Sequence, residues 1–286
     1  MQTLRVIYEQ GKRRLRQAGI ESPGFDALCI LEQVLGANRQ ALILHGDTQT
    51  VPPEQERAFL ERIERRAKRE PLQYIVGQWP FLHFELKMGK GVLIAREDTA
   101  VLVETAVKML HKPQPLVLDL CAGTGAVGFG IASKICGAQV ICVEKYPQAM
   151  AYLQENISFC NAQGIQGVTA VQGDILQAKF AQNFAPADAV VANPPYIETG
   201  ELPTLQAEVQ NEPQTALDGG ADGLKFYRAL AQIWAPKLKP GGVLAVEIGQ
   251  GQQNAVAELF TNAGIEKLQF AKDLGGIVRV VAGVKS

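Results

Sequence analysis

The sequence predicts an α/β fold: a mostly parallel sheet with helices on both faces, preceded by a small helical domain. Three observations carry this expectation. From about residue 97 onward, short β-branched apolar runs alternate with helix-period segments, which is the pattern of βαβ units. One apolar run, Leu116–Leu120, leads straight into a glycine-rich turn. Residues 1–78, in contrast, carry helical periodicity and no strand pattern.

Bulk properties narrow the classes. A chain of 286 residues with 47% hydrophobic residues can bury a sizeable core and has room for two domains. A formal charge of -1 argues against a protein that coats nucleic acid by bulk electrostatics. The five cysteines (Cys29, Cys121, Cys136, Cys142 and Cys160) form no CxxC pair, so neither a disulfide framework nor a metal site is expected. The expected compartment is therefore a reducing, cytoplasmic one. Residues 1–16 are basic but lack the apolar block of a signal peptide, and no apolar run is long enough to span a membrane.

In chain order, Leu4, Ile7, Tyr8, Leu15 and Ile20 suggest a first amphipathic helix. Ser22-Pro23 then supplies a cap and a first-turn proline ahead of Ala27, Leu28, Leu31, Val34 and Leu35. Pro52-Pro53 opens a charged stretch over residues 54–70, whose Arg and Glu residues read as a solvated helix face. Residues 72–94, with Gly77, Trp79-Pro80-Phe81 and alternating Phe84, Leu86 and Met88, read as a hairpin or linker. The domain plan is thus helical over 1–78, a hairpin linker over 79–93, and the α/β domain over 94–286. Within the last, the expected strands are Leu116–Leu120, 138–143, Val168–Gln172, Ala187–Ala192, 242–248 and 277–281.

The turn Asp119-Leu120-Cys121-Ala122-Gly123-Thr124-Gly125, followed by Gly128, needs glycine because the backbone bends sharply and a ligand must approach closely. The next helix would offer free N–H groups there. Taken alone the turn is ambiguous. Gly123, Gly125 and Gly128 also fit the dinucleotide fingerprint, and Glu144 sits where a ribose-binding carboxylate would. Asp119 tilts the balance: a carboxylate at the strand end repels a pyrophosphate but attracts the cationic ammonium and sulfonium of S-adenosylmethionine. Asp174, after Gly173 at the end of the third strand, is placed to accept an adenine amino group, although a loop aspartate there is also an ordinary turn residue.

Asn193-Pro194-Pro195-Tyr196, directly after an apolar strand, names a chemistry. Two prolines cannot continue a central strand, so they make a stiff corner at the ligand-binding end of the sheet. An amide or aromatic amine is a poor nucleophile because its lone pair is delocalised. The Asn193 side-chain oxygen and the Pro194 carbonyl could each accept one N–H, localise that pair and aim it at an electrophilic methyl. Pro195 stiffens the corner, and Tyr196 could stack on the planar group. No general base is required, since the proton leaves after attack.

Here the chain resembles the HemK/PrmC family of release factor glutamine N5-methyltransferases, over nearly its whole length. Residues 70–77 (EPLQYIVG) resemble the family's interdomain segment, and residues 92–99 (VLIAREDT) its VLIPRPET stretch, with Ala95 and Glu97 replacing both prolines and Asp98 shortening the glutamate. Glu212-Pro213 with residues 216–220, residues 222–224 with 226–228, Leu238-Lys239-Pro240-Gly241-Gly242 and Glu247-Ile248-Gly249 resemble later family segments. The resemblance implies a Rossmann-like class I methyltransferase domain behind a small helical N-terminal domain for partner recognition. It implies S-adenosylmethionine as cofactor, and as substrate the glutamine of a Gly-Gly-Gln loop in a peptide chain release factor. Cys121, Ala122, Gly123, Thr124 and Gly125 would line the donor with Asp119, Asp174 and Asn193, and Glu144 would hold its ribose. Asn193, Pro194, Pro195 and Tyr196 would hold the glutamine, and Arg96 and Thr99 would lie near the donor's methionine end. Cys121 departs from the family by standing where many methyltransferases have the first glycine, and Val278 replaces a polar family residue.

The expected working unit is a monomer that binds a protein partner, with no stable nucleic acid, no membrane and no metal. Other readings stay open at this stage: methylation of a ribosomal-protein glutamine, adenine N6-methylation of nucleic acid, a donor-binding protein without turnover, and a nicotinamide enzyme. The N-terminal residues are mixed in charge and few, which disfavours a large nucleic-acid reader.

Overall fold

The structure is a computed structural model that describes residues 1–36 and 39–286. The chain divides into two compact units, one comprising Met1–Gln78 with Gln206–Asn211, the other Trp79–Leu205 with Glu212–Ser286.

The first unit holds helices α1 (Leu4–Gln17), α2 (Pro23–Leu35), α3 (Arg39–His45), α4 (Pro53–Ala67) and α5 (Leu72–Val76). Pro23 and Pro53 open α2 and α4, where a missing N–H costs nothing. Leu4, Ile7 and Leu15 of α1 are buried with Ala27 and Ile30 of α2 and with Phe59 and Ile63 of α4. Gly11 lets α1 lie directly on α4: a methyl group there would stand 2.6 Å from the Phe59 ring. The charged face expected of α4 has one exception. Arg66 is 8% exposed and pairs with Asp26 at 2.7 Å and with Glu208, from the 206–211 segment, at 3.2 Å. Burial pushes the Asp26 carboxyl up from its ordinary range, and the Arg66 hydrogen bond opposes that rise. Residues 72–76, expected within a hairpin or linker, form α5 instead, closed by Gly77 at φ +81°.

The second unit begins with the hairpin β1 (Gln78–Phe81) and β2 (Phe84–Lys87) and continues through α6 (Thr99–Met109), β3 (Leu116–Leu120), α7 (Ala126–Lys134), β4 (Gln139–Glu144), α8 (Pro147–Ala162), β5 (Val168–Gln172), α9 (Ala178–Ala181), β6 (Ala187–Ala192), α10 (Lys225–Ala229), β7 (Leu238–Glu247), α11 (Gln253–Asn262), β8 (Ile265–Lys272) and β9 (Val278–Lys285). The seven-stranded sheet has the order β5-β4-β3-β6-β7-β9-β8, parallel except where β9 runs antiparallel to β7 and β8. This is the Rossmann-like, mostly parallel fold that the alternating pattern predicts. The central strands are buried on both faces and read as continuous apolar runs.

Three strands differ from expectation. β9, expected over 277–281, runs on to Lys285. β7 starts at Leu238, which pairs with Ala187; residues 239–242 then bulge out, and regular pairing with β6 resumes at Val243. β8 escaped the sequence pattern altogether. It is an edge strand carrying Glu266, Lys267 and Lys272, mostly exposed, with a register shift between Glu266 and Gln269. Charge and irregularity on an edge protect against aggregation and erase the two-residue alternation. No helix among the described residues is long and apolar enough to cross a membrane.

Replacing Arg66 with Met should strand Asp26 in the interior and cost about 3–5 kcal/mol. Urea unfolding of the full chain would measure this, and Arg66→Met combined with Asp26→Leu should recover most of the loss. An Arg66→Met chain as stable as the parent would refute the assignment.

Candidate active site

β3 and β6 are neighbours in the middle of the sheet, and the chain departs from them toward opposite edges, through β4 and β5 on one side and β7 on the other. Ligands of open α/β sheets bind at the carboxyl ends of strands where the order reverses in this way. Leu120 lies opposite Ala192 in the parallel register. The segments that follow, residues 121–125 and 193–196, therefore leave the sheet side by side.

After β3 the backbone passes through Cys121 at φ +61°, Gly123 at +56° and Gly125 at +85°. For Cys121 this left-handed conformation costs about 1–2 kcal/mol, and its side chain packs partly against the core beneath the sheet. The two glycines are needed for different reasons. A methyl group on Gly125 would collide with Phe129 at 2.5 Å and Leu153 at 2.7 Å. On Gly123 it would meet only Val92, at 3.8 Å, and would stand in a cavity that both residues line. Packing requires the first; space for a ligand requires the second. Asn156, fully buried on α8, braces the turn by donating to the Thr124 and Lys87 carbonyls (3.0 and 2.9 Å) and accepting from the Lys87 N–H.

Cys121, Ala122, Gly123, Thr124, Glu144, Asp174, Asn193 and Pro195 share the wall of one cavity, together with Thr99. Glu144, at the end of β4, accepts from the Gly123 N–H at 2.9 Å through Oε2, and from the Lys145 and Tyr146 N–H groups at 2.7 and 2.8 Å through Oε1. Those three bonds leave about one of its four acceptor positions open. Asp174 accepts from the Leu176 N–H at 3.0 Å and pairs with Lys145 at 2.9 Å. Burial pushes Asp174 upward, but these partners outweigh it and hold the carboxyl below its ordinary value.

Asp119 does not line the cavity. It is fully buried, and its Oδ2 accepts from the Gly128 N–H at 2.9 Å and faces the Cys142 thiol at 3.6 Å. Oδ1 has no partner among the described residues, and burial raises the carboxyl to about 7. Turned away from the cavity, Asp119 does not take the ligand-lining place expected of it; as a carboxylate beneath the glycine turn it still opposes a pyrophosphate there.

At the corner after β6, Pro194 and Pro195 are buried. The Asn193 Nδ2 donates to Thr99 Oγ1 at 3.2 Å, and no described residue donates to the Pro194 carbonyl. Gly125, Pro194 and Tyr196 stand outside the cavity wall. The Tyr196 hydroxyl is 3.5 Å from Glu247 Oε1, and its carbonyl accepts from Gln252. Arg96, also outside the wall, forms an ion pair with Glu212, whose other oxygen accepts from the Ile94 N–H at 3.0 Å. Sequence reasoning assigned no role to Asn156, Glu212, Glu247, Lys225 or Phe226. Lys225 and Phe226 enter the cavity wall from far along the chain; Phe226 falls in the family-like segment 226–228, which gave it no role. Glu247 carried two signals, a carboxylate closing an apolar strand and its place in the family-like segment Glu247-Ile248-Gly249, but neither gave it a role.

The contrast between the two glycines is testable. Both alanines carry the strain of a positive φ, so Gly123→Ala should lose ligand binding at least tenfold while its melting temperature falls only by what that strain costs, whereas Gly125→Ala, which adds the clash with Phe129 and Leu153, should fall clearly further. Calorimetric titration with methyl donor and thermal unfolding would read the two; equal effects on both measurements would contradict the packing argument.

Comparisons with known proteins agree along the whole chain. A profile described as "PrmC N-terminal domain" matches residues 7–77, and one described as "Conserved hypothetical protein 95" matches residues 93–217. A release factor glutamine methyltransferase of Geobacter sulfurreducens is 38% identical, covering 98% of this chain and 96% of the relative. A protein of the same name from Caulobacter vibrioides is 36% identical over 99% of this chain and 97% of its own length. Among solved structures, a methyltransferase from Pyrococcus furiosus covers 70% of this chain and 88% of its own, at a TM-score of 0.52 and 18% identity, a likeness of fold.

Proposed function

Because this chain belongs to the release factor glutamine methyltransferase family, we propose that it methylates the side-chain amide nitrogen of the glutamine in the Gly-Gly-Gln loop of a peptide chain release factor, with S-adenosylmethionine as donor. The observation that carries this reading is the parallel pairing of β3 with β6, which sets Asn193 in the same cavity wall as the glycine turn.

The residues fit this donor. When bound, it supplies an electrophilic methyl group on a positively charged sulfur. Glu144 has an acceptor position left for a ribose hydroxyl, and Asp174 can accept from the adenine amino group. Several carboxylates around one glycine turn disfavour the dinucleotide alternative.

The glutamine amide is a weak nucleophile, and the chain's task is to orient it. Asn193 Oδ1 and the Pro194 carbonyl each accept one N–H, which turns the nitrogen lone pair toward the donor. The buried proline pair keeps the second acceptor from drifting. Tyr196 flanks the planar group; burial, above all, holds its phenol protonated, so it serves as a surface and not as a base. The nitrogen becomes cationic on methylation and releases its proton afterwards.

The helical residues 1–78 recognise the release factor. Support comes from the family match over 7–77 and from the exposed Phe25, Ile43 and Leu44 on α2 and α3. A complete cavity within one chain supports a monomer as the working unit, and five free thiols support the cytoplasm as the compartment.

Incubation with donor and purified release factor, followed by peptide mapping by mass spectrometry, should show one added methyl group confined to the Gly-Gly-Gln peptide. Methyl incorporation into nucleic acid or a ribosomal protein, with that peptide unchanged, would overturn the proposal. Asn193→Ala should lower kcat by about 10²–10³-fold while donor affinity stays within a few-fold. Turnover like the parent's would rule out the paired-acceptor mechanism.

A further inference from the structure

An asparagine side chain can face a substrate in two ways, offering an acceptor oxygen or a donor nitrogen, and only the oxygen is useful for holding an N–H. What sets this choice lies behind Asn193. Its Nδ2 donates to Thr99 Oγ1 at 3.2 Å, and Thr99 Oγ1 in turn donates to Glu247 Oε2 at 2.7 Å. Glu247 ends β7 and is 2% exposed; Thr99 opens α6 and is equally buried. An ionised carboxylate only accepts, and a threonine hydroxyl has a single proton to give. With that proton committed to Glu247, Thr99 has only lone pairs to offer Asn193, so the amide nitrogen must turn inward and the oxygen outward.

We infer that Glu247 is a positioning residue which, through the Thr99 hydroxyl, dictates that Asn193 presents its oxygen to the substrate. The inference rests on the reading that Asn193 accepts a substrate N–H, and it deepens that reading by adding a control element.

The surroundings make the control sensitive to protonation. Asp98 on the N-terminal side of α6 repels charge on Glu247, and Arg279 on β9 attracts it, while Arg279 is shared with Asp98 at 3.4 Å and Asp273 at 2.8 Å. The Tyr196 hydroxyl lies 3.5 Å from Oε1, and the Tyr227 hydroxyl donates to the Glu247 backbone carbonyl at 2.9 Å, leaving the carboxylate itself untouched. Burial dominates, and the carboxyl is pushed up to about 7. Protonated, Glu247 would donate to Thr99, whose own proton would then point at Asn193 and favour the inverted amide.

The test is single-turnover methylation of full-length release factor, with donor affinity measured separately by calorimetry. Thr99→Val, close in shape but without a hydroxyl, should lower the rate on the order of tenfold with donor affinity changed less than threefold. Thr99→Ser should restore most of the rate. In the parent enzyme the rate should fall roughly tenfold from pH 8 to pH 6 as Glu247 takes up a proton. Glu247→Gln should be several-fold slower at pH 8 and flat over that interval. Asp119, raised into the same range, is present in both enzymes, so a loss of pH dependence in the variant reports on Glu247. The effects of Thr99→Val and Glu247→Gln should also be non-additive, because they break one chain. Parent-like rates in Thr99→Val, or an acid limb that persists in Glu247→Gln, would overturn the inference even with Asn193→Ala inactive. A fully active Asn193→Ala would instead remove the reading on which it stands.

Discussion

The parallel pairing of β3 with β6 is the constraint on which the rest depends. Leu120 opposite Ala192 means that a tight left-handed turn and a stiff proline corner emerge at the same level of the sheet. Each segment alone is a strand terminator. Together they form one wall, because the backbone hydrogen bonds of two buried strands leave no freedom to slide. Every distance in the cavity inherits that register, including the reach from Asn193 back to Thr99 and Glu247.

The arrangement carries an energetic burden. Asp119, Glu212 and Glu247 are buried carboxylates on the same unit, each pushed upward chiefly by burial. A core optimised for stability alone would not gather them. Each has a distinct compensation: the Gly128 N–H for Asp119, Arg96 and the Ile94 N–H for Glu212, and the Thr99 hydroxyl for Glu247. Only Asp119 retains an acceptor without a partner among the described residues. Local discord of this kind marks places where function outweighs fold stability. Cys121 at φ +61° belongs to the same pattern, since the turn is held by its neighbours against the preference of a side chain.

The sheet was legible because buried parallel strands are written as continuous apolar runs. Leu116–Leu120 and Ala187–Ala192 could be read with their ends in place. The edge strand Ile265–Lys272 could not, because solvent on one side and charges along it break the alternation. Residues 72–76 misled for a related reason: a five-residue helix is too short to display a period. Arg66 read as a surface cation because its partners, Asp26 and Glu208, lie far away in sequence.

From sequence alone follow the fold class, the glycine turn and the Asn-Pro-Pro-Tyr corner, since each rests on residue types whose backbone demands are local. Left-handed turns call for glycine and stiff corners for proline, whatever surrounds them. Tertiary structure alone decided that Asp119 turns away from the cavity toward Gly128, that Glu212 clasps Arg96, and that Glu247 reaches Asn193 through Thr99. Those are contacts between side chains brought together by strand order. A hydrogen bond across 94 or 148 residues of chain leaves no trace in local composition; it exists only once the sheet has placed both ends.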